Sequence, residues 1–328
     1  MKKYNLSLAI VVFTIVALFI GFSCKKKSDP APEETPTTSG NTDNFSSNQG
    51  LYSTLGVHMQ SFTLNAASGG TFVSNKSTTI AIPANAFVDL SYTPITGTVT
   101  VNFKDIYSKA DMLLSGACTN SPTGPLESAG EFFISAENSS GMLMINPGKN
   151  IQVKQPVQPL AVANPSMMPF VAALDTVGNP ANWMNDTTSN NVVSNPTYYV
   201  FNLYNFDSTP SNGTWCNSDN AGFFSAYPQT SITIANNTSF TNNVDVFLVF
   251  KNVNSMVHVY SDYPVMANHT YAYAPNGFAC TVVAMGVNSS GKLYSAFSAM
   301  TITPSQTVNL TMTETTAADF QNAVKALQ

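Results

Sequence analysis

From Leu51 onward the chain is a succession of short segments in which apolar and polar residues alternate, separated by Gly, Pro and Asn. SFTLNA, STTIAIP, TGTVTVNF, GEFFISAE and NIQVKQP come first. A period of two sends successive side chains to opposite faces of a strand, and β-branched residues fit that pleated surface. After residue 196 the pattern resumes in TYYVFNLYNF, SITIANN, VDVFLVF, MVHVYS, TYAYAP, ACTVVAMGVN, KLYSAFSAM and TVNLTMT. Short strands at this spacing predict an all-β chain of two β-sandwich domains, the second of them Ig-like. Two segments break the rule. Ser108 is placed to cap a short helix in SKADMLL, with Asp111 at its positive end. Thr315-Thr316 precede AADFQNAVKAL, where Phe320, Val324 and Leu327 share one face, so a short C-terminal helix is expected over 316–327.

Residues 156–196 are rich in Pro, Asn, Met and small residues, which places the junction near Pro156–Pro169 and the domains at 51–160 and 161–328. The turns AENSSGMLMI and GVNSSGKLYS echo each other, with Gly141 and Gly291 supplying positive φ. Gly69-Gly70 marks a tight turn into a strand. The stretch GGTFVSNKSTTIAIPANAFVD, residues 69–89, resembles the opening of ZU5-type β modules, where a Gly-Gly strand precedes an aliphatic strand ending in IPxxA. In it Pro83 ends the strand, Ala84 and Ala86 form a tight corner, and Phe87 is the expected buried plug. The resemblance implies an interaction or structural module and brings no catalytic residue with it. SKADMLLSG and GEFFISA look like modules of secreted bacterial lipoproteins without an assigned activity.

The N-terminus carries a different signal. Lys2 and Lys3 precede a nearly unbroken apolar run, Leu6 to Phe22, which ends in Gly21-Phe22-Ser23-Cys24. This is the n-region and h-region of a secretory signal, expected over 1–23. Small residues at the −3 and −1 positions of a cysteine, here Gly21 and Ser23, resemble the lipobox of bacterial lipoproteins, in which the cysteine is acylated and becomes the new N-terminus. An ordinary cleaved signal and a retained membrane helix are the alternatives. The resemblance implies lipidation of Cys24 and anchorage of the chain to a membrane. Lys25, Lys26 and Lys27 would then meet the lipid headgroups. Lys25 is not the aspartate of an inner-membrane retention signal, so the expected site is the outer membrane, on its periplasmic or its external face. Residues 28–50 are mostly Ser, Thr, Pro, Asn, Gly and acids with the single aromatic Phe45, and 24–50 read as a disordered tether.

Composition removes several function classes. The chain has no arginine and a net charge of −5, so it lacks the basic surface that nucleic-acid binding requires. No nucleotide-binding loop, G-x-S-x-G elbow or HExxH helix occurs. The histidines are His58, His258 and His269, with His258 expected on a solvent-facing strand position. The acid pairs Glu127 with Glu131 and Asp105 with Asp111 are the candidates for two-carboxylate chemistry, but strand spacing alone does not bring them together. NSDNAG (217–222) and DTVGNPANWMND (175–186) read as oxygen-rich loops that could hold calcium, but neither reproduces an EF-hand and Asn/Asp-rich turns without metal are the default, so no metal and no cofactor are expected. Cys216 and Cys280 are the candidate disulfide pair, against three unpaired buried thiols counting Cys118. The expectation is a non-enzymatic binding, adhesion or scaffolding protein with an unknown protein or glycan partner; a secreted hydrolase is the rival. The best ligand hypothesis is stacking of a sugar on Trp183 or Trp215, with Tyr227 and Tyr263 in similar Asn-rich settings. The plainer alternative is that each Trp folds back on its sandwich as an edge plug.

Overall fold

The computed structural model describes residues 41–157, 162–174, 178–187, 190–206, 213–236, 244–262 and 267–327. Cys24, the predicted signal and Tyr263 lie outside the described residues, as does the tether up to residue 40. Among the described residues no helix is long and apolar enough to cross a membrane. The chain is all-β, with several antiparallel sheets and short helices, in keeping with sandwich domains that end in a helix.

The first sandwich pairs a seven-stranded sheet with a five-stranded one. The larger runs Gln60–Asn65, Thr98–Ile106, Glu127–Asn138, Thr214–Asn220, Met168–Leu174, Pro180–Asn185, with Gly141–Met142 folded back on Glu127–Asn138. The smaller runs Asn191–Asn195, Tyr198–Leu203, Ile151–Pro156, Thr79–Ile82, Gly70–Val73. Between them lie Ile80, Phe103, Phe132, Val153, Phe201 and their neighbours, all fully buried. Within the 69–89 stretch, Pro83 follows the strand Thr79–Ile82, Asn85 adopts φ 57°, and Ala86 and Phe87 are fully buried.

The second sandwich sets a three-stranded sheet (Asn268–Pro275, Gln229–Asn236, Gln306–Leu310) against a five-stranded one. The latter runs Met256–Val259, Val244–Phe250, Ala279–Val287, Leu293–Thr301, Thr313–Glu314. Its core holds Ile232, Ile234, Leu248, Phe250 and Val282.

The expected junction at Pro156–Pro169 needs correction. The strands Met168–Leu174, Pro180–Asn185 and Thr214–Asn220 pair into the first sandwich, and the chain changes sandwich between Asn220 and Gln229, at the short turn Phe223–Ala226. A Pro- and Asn-rich stretch looks the same whether it links two domains or crosses between the sheets of one.

A third core joins the two sandwiches. The outer face of the seven-stranded sheet and the outer face of the second five-stranded sheet both pack on a helical layer of α1 (Asn48–Leu55), α2 (Lys109–Leu114) and α3 (Ala317–Lys325). Leu51, Leu113, Trp183, Phe247, Met285 and Phe320 meet there, each 1% exposed or less. This explains a segment, VDVFLVF, whose apolar residues outnumber what a half-exposed strand would show. In Val244–Phe250, Val246 and Leu248 enter the second core while Phe247 and Val249 enter the third. Strands covered on both faces lose the polar half of their alternation.

The helices α2 and α3 form where the sequence places them, whereas α1 was not expected and begins inside the stretch read as tether. Ser108 accepts from the Asp111 amide at 3.1 Å while Asp111 accepts back from Ser108, a reciprocal cap, and Lys76 pairs with Asp111 at 2.6 Å. Buried Lys109 of α2 donates to the Phe250 carbonyl at 2.8 Å, tying the helix to the second sandwich. Thr316 caps α3, and Phe320 and Val324 are fully buried.

The expected tether also ends earlier than its composition implies. Asn41 donates to the Thr315 carbonyl at 3.0 Å, Asp43 accepts from the Ala317 amide at 2.6 Å at the start of α3, and Phe45 is buried with its amide on Gly291. Residues 41–50 are too polar to build a core of their own. They are ordered because they dock on a surface that already exists.

Candidate functional site

Of the aromatic residues picked out for ligand stacking, the three that are described, Trp183, Trp215 and Tyr227, do not converge. Trp183 is fully buried and its indole donates to the Cys118 carbonyl at 2.6 Å. Trp215 is 8% exposed, lies 5.5 Å from the Phe133 ring and carries the Lys104 ammonium 5.5 Å above it. Tyr227 is half-buried, edge-on to Phe278 at 5.0 Å in the other sandwich. The indole platform is therefore overturned. Both tryptophans sit on strand faces that the helical layer covers, and the sequence had presented those strands as loops.

The disulfide expectation fails for a related reason. Cys216 belongs to the first core and Cys280 to the second, and both are buried thiols without a bridge. Burial pushes the Cys280 thiol up to about 12 and the Cys216 thiol further, so both behave as small apolar side chains. Cys118 is likewise buried, its thiol 3.4 Å from the Pro180 carbonyl.

Three polar assemblies remain. The first is half-exposed, where α1 meets the second sandwich. Asp245 accepts from Tyr52 at 2.6 Å and Asn48 at 2.9 Å, and its other oxygen lies 3.4 Å from His258 Nε2. Burial alone would raise the Asp245 carboxyl; its hydrogen bonds and the imidazole outweigh that and hold it below the usual range. His258 faces this acid rather than bulk water, with its ring against Phe247 and Tyr260, and its backbone is clamped by the Asn120 carboxamide. His269 is buried; its Nδ1 meets the Val259 carbonyl at 3.0 Å, and burial depresses its basicity. His58 is exposed.

The second assembly lies inside the first sandwich. Asp105 accepts from Ser74 at 2.5 Å and Thr78 at 2.6 Å, and Thr78 also meets the Tyr107 hydroxyl. Burial, and then Asp105, push the Tyr107 phenol far above its ordinary value. This network pins the turn between Gly70–Val73 and Thr79–Ile82 to the larger sheet. Asp111 is not part of it, so that candidate acid pair does not form.

The third assembly is the one the sequence concealed. Glu131 and Asp219 sit on neighbouring strands, both fully buried; among the described residues none of their four carboxyl oxygens has a hydrogen-bond partner of good geometry, though the Ser128 hydroxyl lies close enough to Asp219 to oppose the rise of its carboxyl. For Glu131, burial first and Asp219 second push the carboxyl well above the usual range, with Lys104 opposing. For Asp219, burial dominates and Glu127 adds to it; the nearby Ser128 hydroxyl donates to Asn217 instead, at 2.8 Å. Glu127, the expected partner of Glu131, is occupied by Asn164 at 2.8 Å and Asn220 at 2.9 Å. Asn217 and Asp219 had read as part of an oxygen-rich loop. They belong to a strand, Thr214–Asn220, whose polar residues 217–219 are all fully buried. A polar pair hidden between two layers has no alternation to betray it.

On the surface, a groove of about 540 Å³ runs between the strand Leu293–Thr301 and α3, lined by Ser295, Phe297, Asn309, Thr313, Glu314 and Asp319 among others. Phe297 is 36% exposed, and its ring lies 6.0 Å from Phe320 beneath it. No family model matches the chain, and neither the curated proteins nor the solved structures contain a significant match to it.

Proposed function

We propose that this chain is a lipid-anchored protein of the cell envelope, held at the outer membrane through Cys24, with a non-catalytic binding, adhesion or scaffolding role. The observation that carries the reading is the apolar run Leu6–Phe22 closing in Gly-Phe-Ser-Cys before three lysines. Each buried acyl methylene contributes roughly 0.8 kcal/mol, so two or more chains on one cysteine hold a folded domain at a bilayer that a single chain would only visit. Two features of the fold support a display role. Residues 41–328 form one compact unit, and the acids Asp105, Glu131 and Asp219 are sealed from any large substrate.

The full-length chain is expected to fractionate with membranes and to incorporate a labelled fatty acid. Cys24→Ala should lose the label and appear in the soluble fraction. A Cys24→Ala chain that stays with membranes would sink the anchor.

A glycan-binding role has one observation in its favour. The groove beside α3 combines hydroxyls, an amide and two carboxylates with an exposed phenyl face, the mixture that suits a polyhydroxylated ligand. If that reading holds, Phe297→Ala weakens binding on a glycan array by at least tenfold, about the loss of 1.4 kcal/mol. Equal binding by the variant, or none by the parent, removes this reading and leaves the protein-partner role.

A further inference from the structure

The strands Glu127–Asn138 and Thr214–Asn220 run antiparallel with Asn217 opposite Glu131 and Asp219 opposite Ser128. Ser218 alone thus faces Ala129 and Gly130, a bulge where Gly130 adopts φ 115°. Asn217 and Asp219 are two apart and share a face. Glu131, directly across from Asn217, is on that face too. The bulge brings Ser128 to it as well, since the Ser128 hydroxyl reaches Asn217 Oδ1 at 2.8 Å.

From the second sandwich, Asn254 closes over the bulge. Its amide nitrogen donates to the Ser128 and Tyr107 carbonyls, each at 2.8 Å, and its backbone carbonyl accepts from the Ser128 amide at 2.9 Å. That leaves Asn254 Oδ1, both oxygens of Glu131 and both oxygens of Asp219 buried without a donor, and Asn217 Nδ2 buried without an acceptor. All four residues are 3% exposed or less. Lys104 offsets the pair only in part: its charge acts on Glu131, but its ammonium lies over the Trp215 ring and makes no close ion pair among the described residues. Two carboxylates shut away from water with one cation acting only on Glu131 are costly to keep ionised, and native interiors rarely keep so many polar atoms idle in one place.

We propose that Glu131, Asp219, Asn217 and Asn254 form a calcium site in the seam between the two sandwiches. Two carboxylates balance a divalent charge. If both are bidentate, they and two amide oxygens make six oxygen ligands, the lower end of the calcium range. Asn217 supplies its oxygen by turning its amide over, which the Ser128 hydroxyl accommodates because it accepts as readily as it donates. Among the described residues no three His, Cys, Asp or Glu side chains converge, so the site lacks the nitrogen and sulfur ligands that zinc prefers. Magnesium keeps several of its waters, for which a site closed by Asn254 has little use. The ion would fasten the Asn254 turn to the first sheet and make the union of the two sandwiches depend on calcium, supplied, on the envelope reading, from outside the cytoplasm.

The test uses the purified full-length chain after chelation. Calorimetry should find one calcium ion bound per chain, and a hundredfold excess over Kd should raise Tm by about 5–10 °C, with magnesium giving less. Glu131→Gln with Asp219→Asn should remove both the heat and the Tm shift while the chain stays folded by circular dichroism, since neutral amides relieve the buried charge. Glu314→Gln, at an exposed position outside this cluster, should keep the full calcium response. No calcium-dependent heat or Tm shift in the parent overturns the proposal, as does a response that survives in the double variant.

Discussion

Gly130→Ala is expected to destabilise the chain by about 3–5 kcal/mol, a large effect for one methyl group. Two costs combine. The residue sits at φ 115°, which L side chains rarely adopt, and a Cβ there would lie 2.2 Å and 2.6 Å from two ring carbons of Tyr107. The ring has little room to withdraw. Its hydroxyl is held by Thr78, which also donates to Asp105, and its carbonyl accepts from Asn254. Gly130 is bound on both sides too, its amide to the Ser128 hydroxyl at 3.0 Å and its carbonyl to Gln155 at 2.9 Å. Gly141 is the matched control, at φ 129° with nothing within 4 Å of the added Cβ. Gly141→Ala should therefore show the backbone cost alone, about 1–2 kcal/mol. In thermal melts the first variant should lose about 10 °C and the second a few degrees. Equal losses in the two would mean that the Tyr107 contact contributes nothing.

The same bulge shows what was legible in the sequence and what was not. Where a strand has one face in a core and one in water, its alternation reports the fold: Ile151–Pro156 buries Ile151, Val153 and Gln155 and leaves Gln152 and Lys154 exposed. The caps at Ser108 and Thr316 were readable because a cap is a local device, a side chain and an amide three residues apart. What did not show was anything set by a second layer. Thr214–Asn220 has polar residues on both faces, Ser218 bonding to Gln155 across the first core and Asn217 turned toward the second sandwich. Such a segment reads as loop, and with it went the buried Glu131–Asp219 pair, the true place of Trp215 and the first sandwich's claim on residues 168–220. The short polar segment at Asn41–Phe45 was missed on the same ground: its partners, Gly291, Thr315 and Ala317, lie some 250 residues away or more.

Trp183→Ala is expected to cost about 3–5 kcal/mol, the usual range for emptying a fully buried Trp or Phe site. The indole is completely buried although it sits on the edge strand Pro180–Asn185, because the third core extends over it. It also holds the segment that leaves α2, through its bond to the Cys118 carbonyl. Removing the ring opens a cavity and leaves that carbonyl without this donor, and an unsatisfied buried acceptor costs about 1–3 kcal/mol more if water does not replace it. Trp183→Phe separates the two contributions, since it keeps most of the apolar area and loses only the donor. Urea unfolding should rank parent, Trp183→Phe and Trp183→Ala in falling order of midpoint. The transition should stay single in all three, because the third core draws on both sandwiches and neither can leave it alone. Full stability in Trp183→Ala would place the indole in solvent and return it to the ligand-binding candidates. A split transition confined to that variant would instead make Trp183 the residue that joins the unfolding of the two sandwiches into one event.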